Sequence, residues 1–132
     1  MRILLDTNAY SALRRGHPVV AERVRRAQKL FLSVVVIGEL QYGFRQGSRC
    51  EENLRDLEAF LDHPYVQILQ VTLTTADRFG RLAATLRRKG RAVPSNDLWI
   101  AAQAMETGAE LMTFDSHFQA IDGLALVALP KP

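Results

Sequence analysis

Four carboxylates stand where apolar runs end or turn: Asp6 in LLDTNAYS, Glu39 in VVIGELQYG, Asp97 in VPSNDLWIAA and Asp115 in LMTFDSHF. Each follows, or nearly follows, a stretch able to form a buried strand or helix. An ionised acid at such a place loses solvation, and an opposite charge must compensate it. A divalent cation is the simplest compensation, and hard cations such as Mg²⁺ take oxygen ligands. Acids gathered around such an ion suit work on a polyanion, because the ion brings positive charge to a substrate the bare carboxylates would repel.

For these acids to act together, the secondary structure must bring them to one place. The sequence reads as alternating strands and helices. Residues 2–5 form a buried strand, and residues 8–15 a helix stopped by Gly16. A second helix starts near His17 and Pro18, with Pro18 tolerated in its first turn. It sets Val20, Val24 and Ala27 on one side and arginines on the other. Residues 30–33 form the second strand. Ser33 then suits a helix N-cap, so the β-branched VVVI opens a helix over about 35–46 despite its preference for strands. An amphipathic helix over 50–62 carries Leu54, Leu57 and Leu61 on one face. Residues 66–71 form a third strand. Thr74-Thr75-Ala76-Asp77 opens a long helix in the manner of a capping box, with Gly90 just past its end. A helix over 96–107, with Trp99, Ile100 and Ala104 inward, is closed by Gly108. Strands follow at 110–113 and about 124–128.

Strands separated by helices imply right-handed crossovers and a mostly parallel sheet of about five strands in an α/β/α sandwich. In such sheets ligands bind at the carboxyl ends of the strands. Asp6 ends the first strand, and Asp115 lies just past the strand at 110–113. Asp97 opens the helix feeding that strand. Glu39 lies about a turn into the helix after the second strand, its side chain leaning back toward the helix N-terminus. All four reach one rim.

Each acid also has an ordinary structural role open to it. Asp6 can cap the helix that follows, and Asp97 can complement a helix dipole with Ser95 or Asn96 as the cap. Asp115 can serve a turn, and Glu39 can sit on a solvated helix face. Four independent roles of that kind would have to land on one edge of one sheet by accident. Other conspicuous residues have simpler uses. His117 is a candidate general acid but fits a turn. Trp99 fits a core or interface better than base stacking, and Tyr42 and Phe44 fit a core or dimer surface. Cys50 lies in the polar stretch GSRCEEN, where an exposed position is expected, and a reactive role would need an activating environment.

Length and composition narrow the function classes. With 132 residues, 48% of them hydrophobic and 23% charged, the chain is expected to fold as one domain over 1–132. Its longest apolar stretches fall well short of the roughly 20 residues that span a bilayer. No secretory leader pattern opens it, and a single cysteine suits a reducing compartment; a cytoplasmic protein is expected. The formal net charge is +3, but without the four acids 17 basic residues face 10 acidic ones. A basic body around a small acidic hole suits a nucleic acid. The basic residues cluster: Arg14, Arg15, Arg23, Arg25, Arg26 and Lys29 in one stretch, Arg87, Arg88, Lys89 and Arg91 in another.

The segments LLDTNAYSAL, SVVVIGELQYG, PSNDLWIAA and LMTFDSHF, in this order and spacing, resemble those of PIN-domain ribonucleases, specifically the VapC-type toxins of bacterial and archaeal toxin–antitoxin pairs. The resemblance covers essentially the whole chain. It implies a parallel sheet of strand order 3-2-1-4-5 and RNA cleavage with one or two Mg²⁺ or Mn²⁺ ions held by Asp6, Glu39, Asp97 and Asp115. On that basis Asp6, Asp97 and Asp115 are the main metal carboxylates. Glu39 is either a ligand through water or the group that orients the attacking water. Asn8, Asn96 and Thr113 are the polar neighbours that would fix the carboxylates. The resemblance further implies a homodimer and a small DNA-binding antitoxin of VapB type. The antitoxin's C-terminal segment would cover the acidic pocket, and an apolar groove near Tyr10, Leu13 and Val20 would receive it. Arg14, Arg15, Arg25, Arg26, Arg87, Arg88 and Lys89 are the candidate RNA contacts. Two other classes stay open: a nuclease of RNA or DNA processing outside any toxin–antitoxin pair, and a catalytically silent PIN module that only binds a partner.

Overall fold

The computed structural model describes residues 1–130. Lys131 and Pro132, the end of the expected 1–132 domain, lie outside the described residues. Five parallel strands, β1 (Arg2–Leu5), β2 (Lys29–Ser33), β3 (Val66–Leu69), β4 (Glu110–Thr113) and β5 (Leu126–Ala128), form one sheet in the order β3-β2-β1-β4-β5. The connections carry helices α1 (Thr7–Arg14), α2 (Pro18–Arg26), α3 (Val34–Arg45), α4 (Cys50–Leu61), α5 (Leu73–Arg88) and α6 (Ser95–Thr107), and a 3₁₀ turn at Ser116–Ala120. Among the described residues no helix is long and apolar enough to cross a membrane.

The central strands are buried on both faces, so they read as near-continuous apolar runs rather than alternating ones. Leu4 pairs with Phe31 on one side and Leu111 on the other. Ile3, Leu4, Leu5, Phe31, Leu32, Leu111 and Met112 are all excluded from solvent. Each such side chain contributes roughly 1.5–3 kcal/mol relative to exposure. This slab fixes the heights at which β1, β2 and β4 end, and so where the residues after them emerge.

The expected elements are present, with displaced ends. Ser33 does cap α3: its hydroxyl accepts the Val35 N–H at 3.0 Å, and the β-branched run enters the helix from residue 34. Gly108 closes α6 in the left-handed conformation, φ 68°, which glycine adopts without steric cost. The start of α5 differs from expectation. Thr72, not Thr74, is the cap, and it exchanges hydrogen bonds with Thr75 in a reciprocal box. The third strand correspondingly stops at Leu69 rather than 71, because the Leu69 and Gln70 carbonyls turn to the Gln103 side-chain amide of α6. The last strand begins at 126, not 124.

Candidate metal centre

Asp6 is the residue at which β1 becomes α1. Its backbone N–H reaches the Met112 carbonyl on β4 at 3.3 Å, and its Oδ1 accepts the Ala9 N–H at 2.8 Å, capping the helix. The capping role foreseen as the ordinary alternative is therefore real, and it coexists with the placement at the rim. Only 7% of Asp6 is exposed. Burial pushes its pKa up. Hydrogen bonds from Thr113 and Ala9 oppose that, and the charges of Asp115 and Glu39 add to it.

Thr113, buried at the end of β4, links two of the acids. Its side chain bonds Asp6, and its Oγ1 accepts the Asp115 N–H at 2.9 Å. Asp115 then caps the 3₁₀ turn, its Oδ1 accepting the His117 N–H at 2.9 Å. The turn aims Asp115 and His117 back at the sheet edge.

Glu39 lies in the second turn of α3, which packs against both α1 and α6. Its Oε1 accepts the Thr7 hydroxyl at 2.7 Å, and its Oε2 accepts the Asn96 amide at 3.3 Å. One carboxylate thus ties together the first turns of α1 and α6. Asp97 occupies the first turn of α6, half-buried. Its pKa is raised to about 6, chiefly by burial, then by the charges of Asp115, Glu39 and Asp6; His117 acts in the opposite direction.

The four acids come from four segments; Asp6 feels the charges of Asp115 and Glu39, and Asp97 those of all three others. Oxygen donors from Asp97 and Asp115 and a ring nitrogen of His117 lie within 4.8 Å of one another. A hard divalent cation fits this set, because it would replace mutual repulsion with shared attraction.

Asn96 and Thr113 touch the acids as expected, but Asn8 does not. It is exposed on α1, and among the described residues it bonds no acid. Its neighbour Thr7 takes that place, since a helix beginning at residue 7 turns Thr7 toward α3. The D-T pair at the end of a strand was the available signal. The basic residues divide. Arg25 and Arg26 end α2 just before β2 begins, at the sheet edge opposite the acids, and both pair with Glu22. Arg14 pairs with Asp56 at 3.4 Å, while Arg15 is exposed beyond the far end of α1. The second cluster lies nearer. Arg87 and Arg88 end α5, Lys89 pairs with Asp122 at 2.5 Å, and Arg91 shares a cleft with Ser116 and His117.

The groove expected at Tyr10, Leu13 and Val20 needs correction. Tyr10 and Val20 are buried core residues, because α1 and α2 turn these faces to the sheet. A cleft of about 520 Å³ runs beside them, lined by Arg14, Val24, Leu30, Phe60, Tyr65 and Val66. Trp99 is partly buried and stacks on Phe79 of α5 at 4.0 Å, whereas Tyr42 is 69% exposed beside Glu39.

The PIN domain family matches residues 3–124 of the chain. Ribonuclease VapC1 of Haemophilus influenzae is 32% identical, over 94% of this chain and 95% of its own length. The tRNA(fMet)-specific endonuclease VapC of Shigella flexneri is 31% identical over 94% and 95%. Among solved structures, VapBC2 from Rickettsia felis, bound to a DNA fragment from its promoter, superposes with a TM-score of 0.86. It is 26% identical, over 98% of this chain and all of that one. The chain belongs to the PIN-domain family, and within it to the VapC type of toxin–antitoxin protein.

Proposed function

We propose that residues 1–132 form a single metal-dependent endoribonuclease domain, the toxin of a VapBC-type pair, acting in the cytoplasm. The observation that supports this reading is the group of Asp6, Glu39, Asp97 and Asp115, drawn from four segments and mutually repelling, with Asp6 and Asp97 both pushed toward protonation. Asp6, Asp97 and Asp115 would hold Mg²⁺ or Mn²⁺. When bound, the cation supplies positive charge for the phosphodiester and Lewis acidity at the reacting centre.

The chain's own groups do the rest. Thr113 holds Asp6 and Asp115 in a fixed relation, which limits the reorganisation needed when a phosphate arrives. Thr7 and Asn96 each bond one oxygen of Glu39, which fixes its carboxylate near Asp6 and Asp97. From there Glu39 orients the attacking water and takes its proton as the water oxygen bonds phosphorus. The bond from phosphorus to the leaving ribose oxygen breaks, and that oxygen takes up a proton from solvent. Arg87, Arg88 and Arg91 attract the RNA backbone toward the rim.

The ribonuclease names of the relatives and the VapBC complexes among the solved structures support an RNA substrate and a VapB-type antitoxin. The cleft between α2, α4 and β3 suits an amphipathic antitoxin segment, its apolar floor edged by the Arg14–Asp56 pair. A homodimer completes the reading. The test is induced expression of the wild type and of Asp6→Asn in cells lacking any antitoxin, with mapping of new RNA ends. Growth arrest with discrete new ends only in the wild type is expected. Harmless high-level expression of intact wild type would contradict the toxin role.

A further inference from the structure

His117 is a polar side chain at the rim that has no part in the proposed cleavage. It lies two residues after Asp115, and its Nδ1 stands 3.0 Å from Asp115 Oδ1. Its ring also comes within 4.8 Å of a carboxylate oxygen of Asp97. Neighbouring ligands on a six-coordinate cation with bonds near 2.1 Å stand about 3 Å apart, and opposite ones about 4.2 Å. The His117–Asp115 separation matches a shared edge of such a shell. Placing His117 and Asp97 opposite one another needs a closure of at most about 0.6 Å. The His117 side chain, 56% exposed, is free to make it.

We propose that His117 supplies an imidazole nitrogen to the cation held by Asp97 and Asp115, so that this chain's centre is a mixed nitrogen–oxygen site that selects Mn²⁺ over Mg²⁺. The inference rests on the metal-dependent reading of the site and goes beyond it by naming a nitrogen donor beside the carboxylates and a preference. The physical reason is ligand softness. Mg²⁺ binds oxygen and gives up its waters reluctantly, so an imidazole adds little for it. Imidazole nitrogen suits first-row transition ions better. The turn also fixes the tether: Asp115 accepts the His117 backbone N–H, so the two side chains leave the chain from one rigid corner.

The competing role is a simple pairing of His117 with Asp115, in which the ring steadies the carboxylate and never meets the ion. The other two histidines are already engaged. His17 Nδ1 accepts the Val20 N–H at 3.4 Å, and His63 Nδ1 accepts the Tyr65 N–H at 3.2 Å. His17 still lies near the site through Phe114, with ring centres 5.6 Å apart, and so serves as the control.

The test is pulsed electron paramagnetic resonance on the full chain loaded with Mn²⁺, with natural-abundance and ¹⁵N-histidine protein, together with titration of Mn²⁺ and Mg²⁺ by calorimetry. A histidine nitrogen coupling that changes on ¹⁵N labelling, persists in His17→Gln and vanishes in His117→Gln is expected. His117→Gln should also weaken Mn²⁺ binding about tenfold while moving Mg²⁺ binding by less than about twofold. Bound Mn²⁺ with oxygen donors only would overturn the role of His117 and leave the carboxylate centre standing. A coupling that survives in His117→Gln, or Mn²⁺ affinity unchanged in that variant, would also overturn it. Failure of the wild type to bind Mn²⁺ at all would instead remove the metal-dependent reading and this inference with it.

Discussion

Asp97 is poorly placed without a cation, and this makes its titration informative. Its pKa rises from 3.8 to about 6 because burial and three neighbouring acids disfavour its charge. Between those values the folded state binds more protons than the unfolded chain. Metal-free protein is therefore most stable, on this group's account, at the acidic end of the window, and loses that stability as pH rises toward 6. The loss is about 2 kcal/mol after allowance for solvent access. Asp6 contributes in the same direction. Denaturant unfolding of chelator-treated wild type and Asp97→Asn at about pH 4.5 and about pH 7 checks this. The wild type should lose more stability across the interval than the variant, whereas equal losses would mean that Asp97 is not held among like charges. The acids were legible because charge at the ends of apolar runs is costly and conspicuous. Thr7 was marked only by its place beside Asp6 at the end of a strand, a weaker signal than a charge, because a threonine there carries no cost. Asn8 is named by the resemblance; on α1 the offset of one residue from Thr7 exchanges a side chain facing α3 for one facing solvent.

Among the elements, α6 does most to set the site's geometry, since it presents Asn96 and Asp97 at one end and Gln103 further along. Gln103 is buried, and its amide nitrogen donates to the Leu69 and Gln70 carbonyls at 3.4 and 3.2 Å, tying α6 to the end of β3. Replacing it with leucine strands both carbonyls. The expected cost is about 1–2 kcal/mol, at the low end of the usual range because its Oε1 already lacks a partner. Comparison of unfolding midpoints at equal denaturant slope measures it, and a neutral result would remove Gln103 as an anchor. This tie also explains what sequence reasoning could not reach. The strand order and the helix succession follow from local pattern and handedness. The early end of β3 follows from a contact 33 residues away, between Gln103 and Gln70. The cap at Thr72 follows the same rule. Three threonines crowd the start of α5, and the local sequence does not choose among them until β3 has stopped.

At the scale of the whole molecule, the positive charge is unevenly placed around the acidic rim. Arg25 and Arg26 stand at the opposite sheet edge and are engaged by Glu22, whereas Arg91 lines a cleft with His117 and Arg87 and Arg88 end α5 a few residues before it. Charge reversal of Arg87, Arg88 and Arg91 should weaken RNA binding across unrelated sequences and lower the salt slope by about one unit for each phosphate no longer neutralised. Reversal of Arg25 and Arg26 should change little. Filter-binding or anisotropy titrations over several salt concentrations distinguish the two, and equal effects would deny the second cluster a special place. The central claim is that the four converging acids form a metal-dependent nuclease site. Its most direct test is RNA cleavage by chelator-treated protein, before and after addition of Mg²⁺ or Mn²⁺, in the wild type and in Asp97→Asn purified free of wild type. Cleavage should be absent without metal, return on its addition to the wild type, and fall at least about a hundredfold in folded Asp97→Asn. Undiminished cleavage by that variant, or by wild type stripped of metal, would contradict the claim.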